Sequence, residues 1–121
     1  MNLGNTIEKI RFTILEKDYD HERPDIPRSK DFTKAVGNLL KKMFPSFTVR
    51  SNGASTSPTF VLRDSMSDKL IYVSIPDYRY ENWYERILYR TMAYEKDWTG
   101  GMNHFANIRD LEDGVNHLVR R

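Results

Sequence analysis

Apolar positions recur at helical spacing from the start of the chain. Leu3, Ile7, Ile10 and Ile14 are separated by four, three and four residues, one stripe of an α-helix. Asn5 followed by Glu8 has the form of a capping box, so a helix is expected over residues 6–17, although the β-branched run Ile-Arg-Phe-Thr-Ile leaves a strand open. Residues 18–30 read as a loop: acids, bases, Pro24 and Pro27 crowd there, and only Ile26 is aliphatic. Next, Phe32, Val36, Leu39, Leu40 and Met43 make an amphipathic helical stripe, with Asp31 as its expected cap and Pro45 barring continuation. Phe47–Arg50, Thr59–Leu62 and Leu70–Ile75 are short β-branched and aromatic runs bounded by turn residues, the pattern of a strand meander. Residues 81–95 read as helix, with Tyr84, Ile87, Leu88 and Met92 as its buried stripe, closed by Trp98-Thr99-Gly100-Gly101. A last helix should start after Asn107 and bury Ile108, Leu111, Val115 and Leu118, with Arg120 and Arg121 suiting its C-terminal dipole.

The expected order is therefore α-α-β-β-β-α-α. That is an α+β chain, a small antiparallel three-stranded sheet packed with helices. Residues 1–17 form an N-terminal helix, 18–30 a linker and 31–121 the α+β body, within a single domain overall. A helix set apart by a long linker can also exchange onto a second copy, so a homodimer belongs among the expectations.

Composition narrows the picture by exclusion. The 121 residues contain no cysteine, which removes disulfides, thiolate zinc sites and cysteine nucleophiles. No apolar run approaches the ~20 residues of a membrane span, and no apolar segment follows the start as in a secretory signal, so a cytoplasmic protein without membrane contact is expected. The net charge of +2 is weak evidence: a dedicated nucleic-acid binder is usually more basic or carries its charge on one face, and a DNA mimic would be strongly acidic. Ten basic face seven acidic residues in 1–60, and nine face ten in 61–121, so neither half is a charged tail.

The densest chemistry lies between Tyr72 and Trp98, which holds eight of the fifteen aromatics with Arg79, Arg86, Arg90 and Lys96 among them. Tyr, Trp and Arg dominate binding hot spots, because they join large rigid area to a polar handle. The same residues also suit base stacking, and a plain core role for several tyrosines stays open. Lys34, Lys41 and Lys42 share the outward side of the second helix, either a solvated face or a phosphate-contacting stripe.

Other patterns lead to no site. Asp18, Asp20, Glu22 and Asp25 resemble a calcium loop, but Arg23 and Ser29 stand where its glycine and glutamate belong. His21, His104 and His117 form no ligand motif, and the Thr99–His104 turn lacks the spacing and lysine of a phosphate loop. Neither a metal nor a cofactor is expected.

The inner α-β-β-β-α order resembles the PD-(D/E)xK nuclease fold, and Asp64 at the end of the second strand would match that family's first metal-binding acid. The third strand, Leu70-Ile71-Tyr72-Val73-Ser74-Ile75, carries no acid-x-lysine, so the resemblance implies at most an inactive, divergent relative. The order also resembles a double-stranded-RNA-binding domain, but Glu81 and Glu85 stand where its basic cluster should be. The segment Ile87-Leu88-Tyr89-Arg90-Thr91-Met92-Ala93-Tyr94-Glu95-Lys96-Asp97-Trp98-Thr99-Gly100-Gly101-Met102-Asn103 resembles small proteins of bacterial phages and conjugative elements. The setting this implies is a mobile-element protein that grips a host machine, as inhibitors of Cas nucleases (anti-CRISPR proteins) do.

The leading expectation is a non-enzymatic inhibitor-type binding protein. It would dock on a host protein or nucleoprotein complex through Arg79, Tyr80, Trp83, Arg86, Arg90, Lys96 and Trp98. The alternatives are a nucleic-acid-binding module using Lys34, Lys41 and Lys42, or a metal-dependent nuclease using Asp64 and Asp77.

Overall fold

The computed structural model describes residues 3–17, 19, 22, 25–98 and 101–120. Among them the order is α1 (Leu3–Glu16), α2 (Asp25–Met43), β1 (Phe47–Ser51), β2 (Thr59–Asp64), β3 (Leu70–Ser74), β4 (Ile87–Met92), β5 (His104–Ala106) and α3 (Ile108–Val119). The strands form one antiparallel sheet in the order β1-β2-β3-β4-β5.

The α+β class stands, but the three-stranded sheet with four helices does not: the described residues hold five strands and three helices. The error lies in residues 81–95. Tyr80, Trp83 and Glu85 donate their N–H groups to the carbonyls of Asp77, Tyr80 and Asn82, a succession of four-residue β-turns and no α-helix. Ile87–Met92 then runs as a strand paired with β3 and β5. Ile87 and Tyr89 point into the core, while Arg90 and Met92 are buried on the opposite side. A strand covered on both faces has no polar alternation, so its apolar positions also fit a helical stripe. The three-residue β5 was not expected at all.

The other elements lie close to their expected places. α1 starts at Leu3, which puts Asn5 inside the helix and not at its cap. α2 starts at Asp25, shortening the expected linker, because Pro27 falls in the first turn, where the missing N–H costs nothing. Asp31 is therefore no cap. It accepts hydrogen bonds from Lys17 Nζ at 2.7 Å and Tyr19 Oη at 3.3 Å, which ties the linker to α2. The bond from Lys17 holds the Asp31 carboxyl below its usual range. Asn107 caps α3 as expected, its side chain accepting from Arg109 N–H at 3.0 Å. Asp18, Asp20 and His21 of the acidic cluster, with Thr99, Gly100 and Arg121, lie outside the described residues.

All three helices lie on one face of the sheet. α2 packs over the β1 side, α3 over β4 and β5, and α1 lies against α2. Phe32, Val36, Leu39, Leu40 and Phe44 of α2 and its end meet Phe60, Leu62, Ile71, Val73 and Ile87 of the sheet. Ile108, Leu111 and Val115 close the other half of this core. Gly114 lies in α3 directly above Tyr89, where a Cβ would collide with the phenol ring.

Candidate partner-binding surface

The opposite face of the sheet carries none of the described helices, and alternation decides which side chains it bears. The registers set Arg50, Val61, Tyr72 and Arg90 in one rank across β1–β4. Ser74, Leu88 and Phe105 form the rank on one side, and Arg63, Leu70 and Met92 the rank on the other. Val61, Leu70 and Met92 make a small buried cluster with Tyr72 against it.

The turn after β4 folds back over this face and is fastened there. Arg90 is only 5% exposed and donates from Nη2 to the Asp97 carbonyl at 2.6 Å. Its guanidinium lies 4.7 Å from the Tyr72 ring centre. The Asp97 carboxylate accepts the Ala93 N–H at 3.0 Å, and Lys96 takes a left-handed φ of 70° at the tip. Trp98 follows, set edge-on to Tyr72 at 5.8 Å. It remains 57% exposed, and Tyr94 in the same turn is 63% exposed. Arg50 and Arg63 both reach Glu95, at 3.5 and 3.4 Å, and pin the turn from its other side.

The expected site residues therefore separate. Lys96 and Trp98 stand on the open sheet face. Arg90 lies beneath them as a strut, its donors spent on the Asp97 and Thr91 carbonyls. Trp83 is 2% exposed and wedged against Phe32, with ring centres 5.0 Å apart, so it is a core residue and not an exposed anchor. Tyr80 and Arg86 line an open groove of about 820 Å³ along the β5 edge. Arg86 lies 4.4 Å over Phe105, which belongs to both groove and sheet face and joins the two. Arg79 makes a two-pronged pair with Asp77, at 2.9 and 2.6 Å, and faces a different cavity.

Phe105, Tyr94, Arg50 and Arg63 complete the surface and were not among the expected site residues. Tyr94 belonged to the aromatic-rich segment, whereas Phe105 and the two arginines gain their meaning only from strand register. Lys34 and Lys41, with Lys30, line a separate groove of about 280 Å³ between α2 and β1, and Lys42 is exposed nearby.

The two carboxylates considered for metal chemistry are engaged with their own surroundings. Asp77 is held by Arg79, whose hydrogen bonds keep its carboxyl below the usual range. Asp64 is fully buried; its Oδ2 accepts from Ser67 Oγ at 2.6 Å and from Arg120 Nη1 at 3.3 Å. The Ser67 hydroxyl above all, with nearby backbone N–H groups and Arg120, pulls the Asp64 carboxyl down despite its burial. Among the described residues no three His, Asp or Glu side chains cluster to hold a metal. None of the described helices is long and apolar enough to cross a membrane.

Asp64 makes stability depend on pH. Its folded pKa lies below the unfolded value, so its contribution is full above the unfolded pKa, about 3.9. That contribution disappears as pH falls through the folded pKa. Urea titrations from about pH 7 to about pH 3 should show the wild-type midpoint falling further than that of Asp64→Asn. Asp31 and Asp77 titrate in both proteins, so the difference isolates Asp64. Parallel lines for the two proteins would refute its role.

No family model, curated protein or solved structure matches this chain.

Proposed function

We propose that this chain is a non-enzymatic, mobile-element binding protein that docks on a host protein, free or within a nucleoprotein complex, through its open sheet face. The observation that carries the reading is Trp98. It is a large, exposed aromatic, yet the Arg90–Asp97 contact and the Tyr72 ring hold its turn in place. An anchor already ordered before binding loses little conformational entropy on docking. Phe105 and Arg86 extend the apolar and cationic contact along β4 and β5. The mobile-element setting draws on the resemblance of residues 87–103, which include β4 and the turn that carries Trp98.

The test is capture of a partner from host lysate by tagged protein, with and without nuclease and at two salt concentrations. A discrete protein should survive nuclease treatment. Its affinity should fall by more than about 1 kcal/mol in Trp98→Ala and in Phe105→Ala, with cooperative unfolding retained in both. Undiminished capture by the folded double variant would refute the surface.

A second reading, nucleic-acid binding, is favoured by the groove beside β1. Lys30, Lys34 and Lys41 line it together with Thr33 and Ser51, and no carboxylate is among its lining residues. This reading predicts recovery of nucleic acid that disappears at higher salt, since each neutralised phosphate releases counterions. It also predicts loss of that recovery in Lys34→Ala/Lys41→Ala, with Trp98→Ala unaffected.

A further inference from the structure

A cavity of about 310 Å³ lies between α1, α2 and the turns at residues 78–83, apart from the open sheet face. Its wall is apolar and aromatic. Ile10 and Ile14 come from α1, Phe32 from α2, and Tyr78 and Trp83 from the turns. Phe32 stands 5.4 Å from Tyr78 and 5.0 Å from Trp83, centre to centre, so three rings share one corner of the core.

Cationic groups border this wall. Arg11, Arg28 and Arg79 all line the cavity, against Glu81 as the one carboxylate among its described lining residues. Arg11 is paired with Glu81 at 2.6 Å, and Arg79 with Asp77 at 2.6 Å. Arg28 differs. Its guanidinium is steadied 4.8 Å over the Tyr19 ring, and no ion pair to a described carboxylate accompanies that contact. Its Nε is buried and has no hydrogen-bond partner among the described residues. A buried donor left unmatched is unfavourable, the more so when it is charged. That Nε is closed to solvent, so a ligand carboxylate would meet the rest of the guanidinium, on the residue that lines the cavity.

We propose that this cavity binds a small aromatic carboxylic acid, its ring against Phe32, Tyr78 and Trp83 and its carboxylate on Arg28. The volume lies at the small end of ligand sites, about 300–1,000 Å³, which suits a single ring with a short acid arm. The excess of guanidinium over carboxylate in the lining selects an anion, and the planar fork of arginine matches a carboxylate. Neither feature of the site draws on the sheet-face residues, so it stands or falls independently of the docking surface.

The probe is phenylacetate, with phenylacetamide as its neutral counterpart, titrated into the full ¹⁵N-labelled chain. The Arg28 Nε–Hε and Trp83 indole N–H resonances report from the guanidinium and from the aromatic wall of the cavity. Phenylacetate should shift both saturably, and phenylacetamide should bind at least about tenfold more weakly, a difference of about 1.4 kcal/mol. Arg28→Gln should lose the same factor for phenylacetate and nothing for the amide. The acid-versus-amide comparison uses the wild-type chain alone, so it decides the matter even where the variant folds poorly. Equal binding of acid and amide would overturn the proposal. So would the absence of saturation up to about 10 mM, a concentration already weak on the affinity scale.

Discussion

Trp83→Ala should cost about 3–5 kcal/mol of stability, whereas Trp98→Ala should cost about 1 kcal/mol or less. The two tryptophans lie in one aromatic-rich stretch, yet the fold separates them completely. Trp83 packs edge-on to Phe32 at 5.0 Å and perpendicular to Tyr84 at 5.7 Å, with 2% of its surface left to solvent. Its truncation removes a large buried side chain and opens a cavity that Phe32 and Tyr78 cannot both fill. Against a total stability of about 5–15 kcal/mol, that loss takes the domain close to its unfolding threshold. Trp98 contacts Tyr72 alone among the described rings and leaves no enclosed void behind. Chemical denaturation followed by circular dichroism measures both costs. Trp98→Phe should leave a single tryptophan emission shielded from iodide, and Trp83→Phe one that iodide quenches readily. Equal destabilisation by the two alanine variants would contradict this division.

Gly114→Ala should destabilise the protein by about 1–3 kcal/mol, although alanine is the better helix former by up to about 1 kcal/mol. The conflict arises at one contact. An added Cβ at Gly114 would meet the Tyr89 Oη and Cζ atoms well inside van der Waals distance. Tyr89 has little room to retreat, because it lies on β4 in the core and stacks on His104 with ring centres 5.3 Å apart. The helix would have to lift from the sheet, loosening Leu111 and Val115 beside it. A double-mutant cycle separates the two effects. In a Tyr89→Leu background the outer ring atoms are gone, so Gly114→Ala should become neutral or stabilising by the helix-propensity gain. A cost unchanged by Tyr89→Leu would mean that the clash is not its source.

An element with one buried face was the most legible in the chain. α3 has a polar outer surface and an asparagine cap, and its stripe of Ile108, Leu111, Val115 and Leu118 appears as expected. β1, β2 and β3 were legible by composition, as β-branched runs between turn residues, although Val61 and Leu70 are buried on the open face too. β4 was misread for the opposite reason. Tyr89 serves the helical core while Arg90 and Met92 are covered by the returning turn, so burial on both sides erased the period of two. The candidate surface was legible in kind but not in membership. Aromatic and arginine content pointed to the correct segment, yet local sequence cannot separate a strut such as Arg90 or a core ring such as Trp83 from an exposed anchor. That separation is made by contacts with residues far along the chain, Phe32 for Trp83 and Tyr72 for Arg90. Arg50, Arg63 and Phe105 join the surface only through pairing across strands.

The order of the strands in the sheet repeats their order in the chain. Each strand can therefore pair with the one made just before it, and the sheet can grow stepwise as the polypeptide leaves the ribosome. Such local pairing places this sheet toward the fast side of antiparallel folding, since no early step must close a long loop. Distant closures come on top of this pairing: Phe32 meets Trp83 in the core, Arg11 to Glu81 fastens α1, and Arg120 to Asp64 joins the end of α3 to a hairpin made long before it. Each clasp joins segments more than fifty residues apart, 70 for Arg11–Glu81 and 56 for Arg120–Asp64, so each can only follow the local pairing of the first strands.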